Sequence, residues 1–308
     1  MKKLTIPYVN LAAQWEDEKQ ELLPIIESVM SSGQYVGGEA VGIFEQKASE
    51  FCGTKYCVAL NSGTDALLLG LLALGVKGGD EVITPPNSFI ASTAAIVHLG
   101  AKPVFVDVLP DQNIDPNQIE RKISKKTKAI MPVHLTGRVA NMTDILEIAD
   151  RHNIPVIEDA AQSIGSKYSG RPSGSLGEVG CFSAHPLKNL NACGDGGFLT
   201  TDNINIDKLV RIYRNHGLSD RNTVEKFSGV SRMDTLQAAI LVYRISRLPL
   251  MIEKRRKNAD LYRSWLDLSQ VYIPEECEEK FNTYHTFVIQ CEKRDELQEY
   301  LIEHGIET

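Results

Sequence analysis

The chain has 308 residues, 43% of them hydrophobic and 24% charged, which supplies a sizeable core and excludes disordered, collagen-like and disulfide-scaffold proteins. Its 33 Lys and Arg against 40 Asp and Glu give a net charge of -7, which argues against nucleic acid and anionic membrane as partners. The start, MKKLTIPYVNLAAQW, lacks the continuous apolar core of a signal peptide. The longest apolar run, residues 66–76, falls far short of the roughly 20 residues that span a bilayer, so a cytoplasmic protein is expected. The six cysteines show no C-x-x-C pair and no histidines at zinc spacing, so reduced thiols and no metal are expected.

From residue 55 to 201 short β-rich runs alternate with helical stretches, the pattern of an α/β layer fold with a largely parallel sheet. The expected strands are 55–61, 81–85, 103–108, 128–133, 155–160, 178–184 and 196–201. Helices are expected over 64–74, apolar on nearly every face and therefore buried, and over 142–152. After Gly229 the texture becomes that of a long charge-flanked helix, with Pro249 marking a break or kink. Residues 283–291 read as a strand, 293–304 as a helix, and the chain stops where another strand should follow Gly305. Two unequal domains follow: 1–245, with an N-terminal helical arm, and a smaller α+β domain over 246–308 that reads as incomplete.

Three segments carry chemistry. NSGTDALLLG (61–70) sets Asn, Ser, Gly and Thr at a strand-to-helix junction, either an anion cup of free amides suited to a phosphate or plain N-capping by Ser62 or Thr64. IPVIEDAAQS (154–163) ends an apolar strand in Glu158 and Asp159, each a site residue or a helix cap. GCFSAHPLKNLNACGDGG (180–197) delivers Ser183 and then Lys188 in a tight turn, where lost solvation frees a neutral amine for Schiff-base chemistry; a solvated surface lysine is the bland alternative. The GDGG at its end lacks the full dinucleotide fingerprint and follows no first strand. Taken together, cup, carboxylate and lysine answer the phosphate, ring nitrogen and aldehyde of pyridoxal 5'-phosphate, with the acid 29 residues before the lysine (188 - 159).

NSGTDALLLGLLALGVKGGDEVITPPNSFIAS, GAKPVFVDV, VHLTG, VIEDAAQSIG, FSAHPLKNLNACGDGG, RNHG and SRMDTLQAAI closely resemble the DegT/DnrJ/EryC1/StrS sugar aminotransferases, from about Ile6 to the end of the chain. The resemblance implies the fold type I (aspartate aminotransferase-like) architecture, a mixed, mostly parallel seven-stranded sheet sandwiched by helices. It implies a homodimer with shared active sites, and transfer of an amino group from L-glutamate to a nucleotide-linked keto-sugar. Position by position it makes Lys188 the Schiff-base lysine, Asp159 the partner of the pyridine nitrogen and Gln162 a neighbour of the ring hydroxyl. Ser183, Gly63 and Thr64 become phosphate ligands, and Phe89 the aromatic stacked on the ring, although a Phe in such a connection is more often core. His134 and His185 sit inside family motifs, as substrate contacts or as satisfied buried histidines. Lys188 argues against the related sugar dehydratases, which carry His there; a non-catalytic regulatory homologue is the other alternative. Departures from the family pattern are GVSRMD (229–234), without the Asn that usually reaches the partner's phosphate, and the small Ala184 and Cys193 beside the lysine.

Overall fold

The structure, a computed structural model, describes residues 5–308; residues 1–4, where the expected arm begins, lie outside the described residues. The chain opens with two helices, α1 (Leu11–Ser32) and α2 (Glu39–Cys52), each closed by a left-handed glycine, Gly33 and Gly53. An alternating section follows: β1 (Tyr56–Leu60), α3 (Gly63–Ala73), β2 (Glu81–Thr84), α4 (Ile90–His98), β3 (Lys102–Phe105), β4 (Thr127–Ile130), α5 (Met142–His152) and β5 (Ile157–Asp159). A tight hairpin, β6 (Lys167–Tyr168) and β7 (Arg171–Pro172), leads to β8 (Val179–Ser183), β9 (Gly197–Thr201) and α6 (Ile204–Tyr213). The long α7 (Thr235–Trp265), a short β10 (Lys280–Phe281) and α8 (Arg294–Glu303) complete the described elements.

All seven expected strands are present, but they do not form one continuous sheet. Four align in the order β1-β9-β8-β5 and three in the order β3-β2-β4, while β10, β6 and β7 make a small third sheet. Isolated parallel bridges, Ile130 with Val156 and Val133 with Asp159, join the two larger sheets. The seam has a physical cause, because Pro132 and Pro155 lie on its two sides and neither has an N–H to give a ladder. Their carbonyls serve it, accepting from Asp159 N (2.9 Å) and Ile130 N (3.0 Å). The β5–β8, β2–β3 and β2–β4 ladders are parallel and the β1–β9 and β8–β9 ladders antiparallel, so the arrangement is mixed.

Helices cover both faces of the larger sheet. On one, α2 and α7 pack against Phe182 and Phe198, which stack at 4.6 Å, with Phe44 edge-on to Phe198 at 5.4 Å. On the other, α3 buries Leu67, Leu69 and Leu71 against Val58, Ile157, Val179 and Leu199, as its all-round apolarity requires. A third cluster lies under α5, around Ile83, Ile130, Ile145 and Val156.

Two expectations for the second half are revised. Helix α7 runs through Pro249 without a break; Ile245, Leu248 and Ile252 are buried on either side, and their packing offsets the missing hydrogen bond. The boundary expected at 245/246 therefore falls inside one helix. Residues 283–291 are not a strand, for Tyr284 is left-handed (φ 49) and only Gln290 makes a β-bridge, to Tyr272. Among the described residues no helix is long and apolar enough to cross a membrane.

Candidate active site

Strand β5 ends with two adjacent carboxylates that meet different surroundings. Glu158 is fully buried and accepts from the amides of Gly174 (2.8 Å), Leu176 (2.7 Å) and Gly177 (2.8 Å) and from His134 Nε2 (2.8 Å). Asp159 points the other way. Its side chain accepts from Ser92 Oγ (2.6 Å) on α4 and from Ala161 N (3.2 Å). Its backbone is fixed by its own N–H donating to Pro132 O (2.9 Å) and by His134 N donating to its carbonyl (3.0 Å), and the next residue, Ala160, donates its N–H to Cys181 O of β8 (2.9 Å). Burial raises the carboxyl above its usual range, opposed by the Ser92 and Ala161 bonds and by the charge of Lys188.

Lys188 lies in the turn after β8, closed by its own N–H to the carbonyl of His185 (2.8 Å). Asn191 ties the turn down by donating to Pro186 O (2.9 Å), and Ala192 N returns to Ala184 O (2.7 Å). Burial lowers the Lys188 amine and the Asp159 charge raises it, with burial the larger effect. Neither residue of the pair takes part in an ion pair among the described residues, yet the buried Asp159 and the half-buried Lys188 are close enough for each to act on the other's charge.

The strand-to-helix junction at residues 61–64 is present as expected. Ser62 caps α3, its Oγ accepting from Asp65 N at 3.1 Å, which leaves the amides of Gly63 and Thr64 without a protein acceptor among the described residues. Ser183 at the end of β8 is pressed against this helix start: a Cβ on Gly63 would stand 2.7 Å from Ser183 Cβ. Only glycine allows the close approach, and it brings cup and lysine turn together. The N-capping reading holds for Ser62, and the amides of Gly63 and Thr64 stay open, as an anion cup would require.

Residues 16–308 match the DegT/DnrJ/EryC1/StrS aminotransferase family. The chain belongs to this family. It is 41% identical over 307 residues to the dTDP-3-amino-3,6-dideoxy-alpha-D-galactopyranose transaminase of Aneurinibacillus thermoaerophilus, covering 98% of this chain and 84% of that one. It is 40% identical over 309 residues to a pleiotropic regulatory protein of Geobacillus stearothermophilus, covering 99% and 83%. Its fold superposes with a TM-score of 0.95 on DesV of Streptomyces venezuelae in complex with a ketimine intermediate, at 37% identity over 98% of this chain and 82% of that one. NtdA of Bacillus subtilis, with bound cofactor PMP, gives 0.90 at 34% identity over 98% and 71%.

Within this sugar aminotransferase family member, the remaining expected residues are placed unequally. Phe89 is 71% exposed, so it is not core; its carbonyl accepts from Ser92 N (3.2 Å), which puts it one turn from the Asp159 partner. Gln162 sits opposite, accepting from Thr136 N at 2.7 Å. Thr64 and His185 are exposed, and His185 Nδ1 accepts only from Leu187 N (3.3 Å). His134 is fully buried with both ring nitrogens engaged, Nδ1 accepting from Ala140 N (3.2 Å) and Nε2 donating to Glu158, so it has no face for a substrate. Val230, where the family usually has Asn, is 47% exposed beside Asn215.

Sequence reasoning missed two neighbours of the pair. Ser92 lies 67 residues from Asp159 and is an ordinary serine in an apolar helix; its one signal is the hydroxyl at N3 of α4. His285 comes from the C-terminal segment, close enough to Lys188 to feel its charge. Burial, Lys188 and Arg255 push its imidazole down to about 3, so it is neutral at physiological pH.

Proposed function

We propose that this protein is a pyridoxal 5'-phosphate-dependent aminotransferase that moves the amino group of L-glutamate to a nucleotide-linked keto-sugar. The observation that carries the reading is the pairing of buried Asp159 with half-buried Lys188, beside the Gly63–Ser183 contact. A buried carboxylate without an ion-pair partner invites a cation, and a pyridinium is one. A half-buried lysine without a carboxylate partner is poised as a free amine, and unclaimed helix amides invite a phosphate. These residues fit the cofactor. Asp159 would hold its ring nitrogen, Lys188 its aldehyde, and Gly63, Thr64 and Ser183 its phosphate, with Gln162 near its ring hydroxyl and Phe89 over its face.

When bound, the cofactor supplies an electron sink next to the carbon that gains or loses a proton. The chain does the rest. Asp159, oriented by Ser92, keeps a proton on the ring nitrogen, and the added positive charge returns its carboxyl toward the ionised form. Lys188, its amine kept low by burial and its turn held by Asn191, would serve as base and then acid for the proton on the reacting carbon. The exposed His185, three residues before Lys188, would be offered to the sugar.

In this reading residues 1–245 carry the cofactor and 246–308 cover the substrate side. A cytoplasmic homodimer shares the sites. The relative named a pleiotropic regulatory protein favours a second reading, a cofactor-binding regulator without turnover. The experiment that decides is release of 2-oxoglutarate from L-glutamate by cofactor-loaded protein, with and without a nucleotide keto-sugar. Sustained release only when the keto-sugar is present is the expected result, and cofactor retention without release under either condition would overturn it.

A further inference from the structure

We infer that Arg255 and His285 form a receptor for a substrate carboxylate beside Lys188. The inference rests on the aminotransferase reading and adds the group by which the amino donor is held. Arg255, on α7, is part-buried and takes part in no ion pair among the described residues. The single titratable group that acts favourably on its charge is the phenol of Tyr8, not a carboxylate. Its Nη1 donates to two main-chain carbonyls, Tyr284 O (3.3 Å) and His285 O (3.0 Å), while its buried Nε has no partner. The Nδ1 of His285 is likewise buried and unpartnered. Two unpaired polar nitrogens on adjoining residues, one of them on a buried cation, call for a shared acceptor.

The surrounding chain holds this arrangement in place. Asn189, next to Lys188, donates to Thr283 O (3.4 Å), and Ser166 bonds both Gly137 O (2.7 Å) and Thr283 Oγ1 (2.9 Å). Gly137 (φ 96) is packed so tightly on the segment that a Cβ there would lie 3.0 Å from His285 N. The backbone at His285 is therefore held close against Gly137. Its neighbours Lys188 and Arg255 are both basic, and their charge, with burial, keeps the His285 ring neutral.

The chemistry of the donor explains what Arg255 and His285 receive. Lys188 moves the proton on the carbon that bears the amine, and in an α-amino acid that same carbon bears a carboxylate. A receptor for it must stand next to Lys188, where Arg255 offers Nε in the planar fork suited to a carboxylate and His285 a neutral ring N–H. The same chemistry could be met by a uronic acid group on the acceptor sugar, so the test has two arms.

Cofactor-loaded wild type, Arg255→Gln, Arg255→Lys and the control Arg247→Gln are titrated calorimetrically with glutarate, which has no amine to react, and with glucuronate. Loss of roughly ten- to a hundredfold in glutarate affinity in Arg255→Gln, partly restored in Arg255→Lys and absent in Arg247→Gln, assigns the receptor to the donor. The same pattern with glucuronate alone assigns it to the sugar. Equal affinities in wild type and Arg255→Gln, with only a lower melting temperature in the variant, would make Arg255 a clamp on the 283–286 segment and overturn the inference. So would failure of wild type to bind either probe. Failure of the aminotransferase reading itself shows separately, as cofactor that binds without L-glutamate conversion.

Discussion

Glu158 and Asp159 are neighbours at the end of one strand and both are buried, yet Glu158 accepts four hydrogen bonds and Asp159 accepts two while facing Lys188. The Glu158 side is a finished structural joint, in which a carboxylate gathers the 174–177 turn and His134 into the sheet. The Asp159 side is an unfinished one, with a buried acid, a depressed lysine and open helix amides. A fold closes its polar groups wherever stability is the only demand, and leaves them open where a ligand completes them. Chain position does not separate the two roles; the partners do.

Substitutions on the two sides should break differently. The largest effect is expected on the open side: Lys188→Ala should lower 2-oxoglutarate release by at least about a thousandfold with an unchanged melting curve. Asp159→Asn comes next, with a rate loss of roughly a hundred- to a thousandfold and cofactor still retained on dialysis. Glu158→Ala should do the reverse. It strands three amides and His134, and should cost about 3 to 5 kcal/mol of stability by denaturant unfolding. An unfolding midpoint equal to that of Asp159→Asn would erase the contrast.

Gly63→Ala tests the contact between cup and lysine turn. The added methyl would stand 2.7 Å from Ser183 Cβ, so cofactor affinity should fall by about 1 to 3 kcal/mol in an equilibrium titration. A further effect concerns His285 and is confined to acid pH. Its folded value of about 3 lies below the ordinary 6.5, so between these values the unfolded chain takes up a proton that the folded chain refuses. Its contribution to stability is complete above 6.5 and is lost as pH falls toward 3. His285→Asn should flatten the stability–pH slope in that window by up to about 1.4 kcal/mol per pH unit, read from urea midpoints.

The strands and the buried helix α3 were legible because runs such as YCVAL and GTDALLLGLLA can be satisfied only in a core. The lysine, the acid and the capped junction could be picked out as candidates because their residue types stand in one order that suits one cofactor. What pattern reading could not weigh was tertiary context. TYHTFVIQC alternates like a strand, but Tyr284 turns left-handed and the segment bonds instead to Gly137, Thr136, Asn189 and Arg255. Pro249 reads as a stop, and the packing of Ile245, Leu248 and Ile252 overrides it. The seam between the sheets was visible as Pro132 and Pro155 but carries no signal until their strands are known to be neighbours. Ser92, Arg255 and His285 reach the site across 67 or more residues of chain from Asp159, and nothing in a serine, an arginine or a histidine alone announces such a meeting.

The central claim is that Lys188 and Asp159 hold a working pyridoxal phosphate between them. Its most direct test is the visible absorption spectrum of the reconstituted protein before and after L-glutamate, in wild type and Lys188→Ala. The account predicts a cofactor band in wild type that glutamate converts to the pyridoxamine form, and no such conversion in the variant. A wild-type spectrum without any cofactor band after reconstitution, or one that glutamate leaves unchanged, would contradict it.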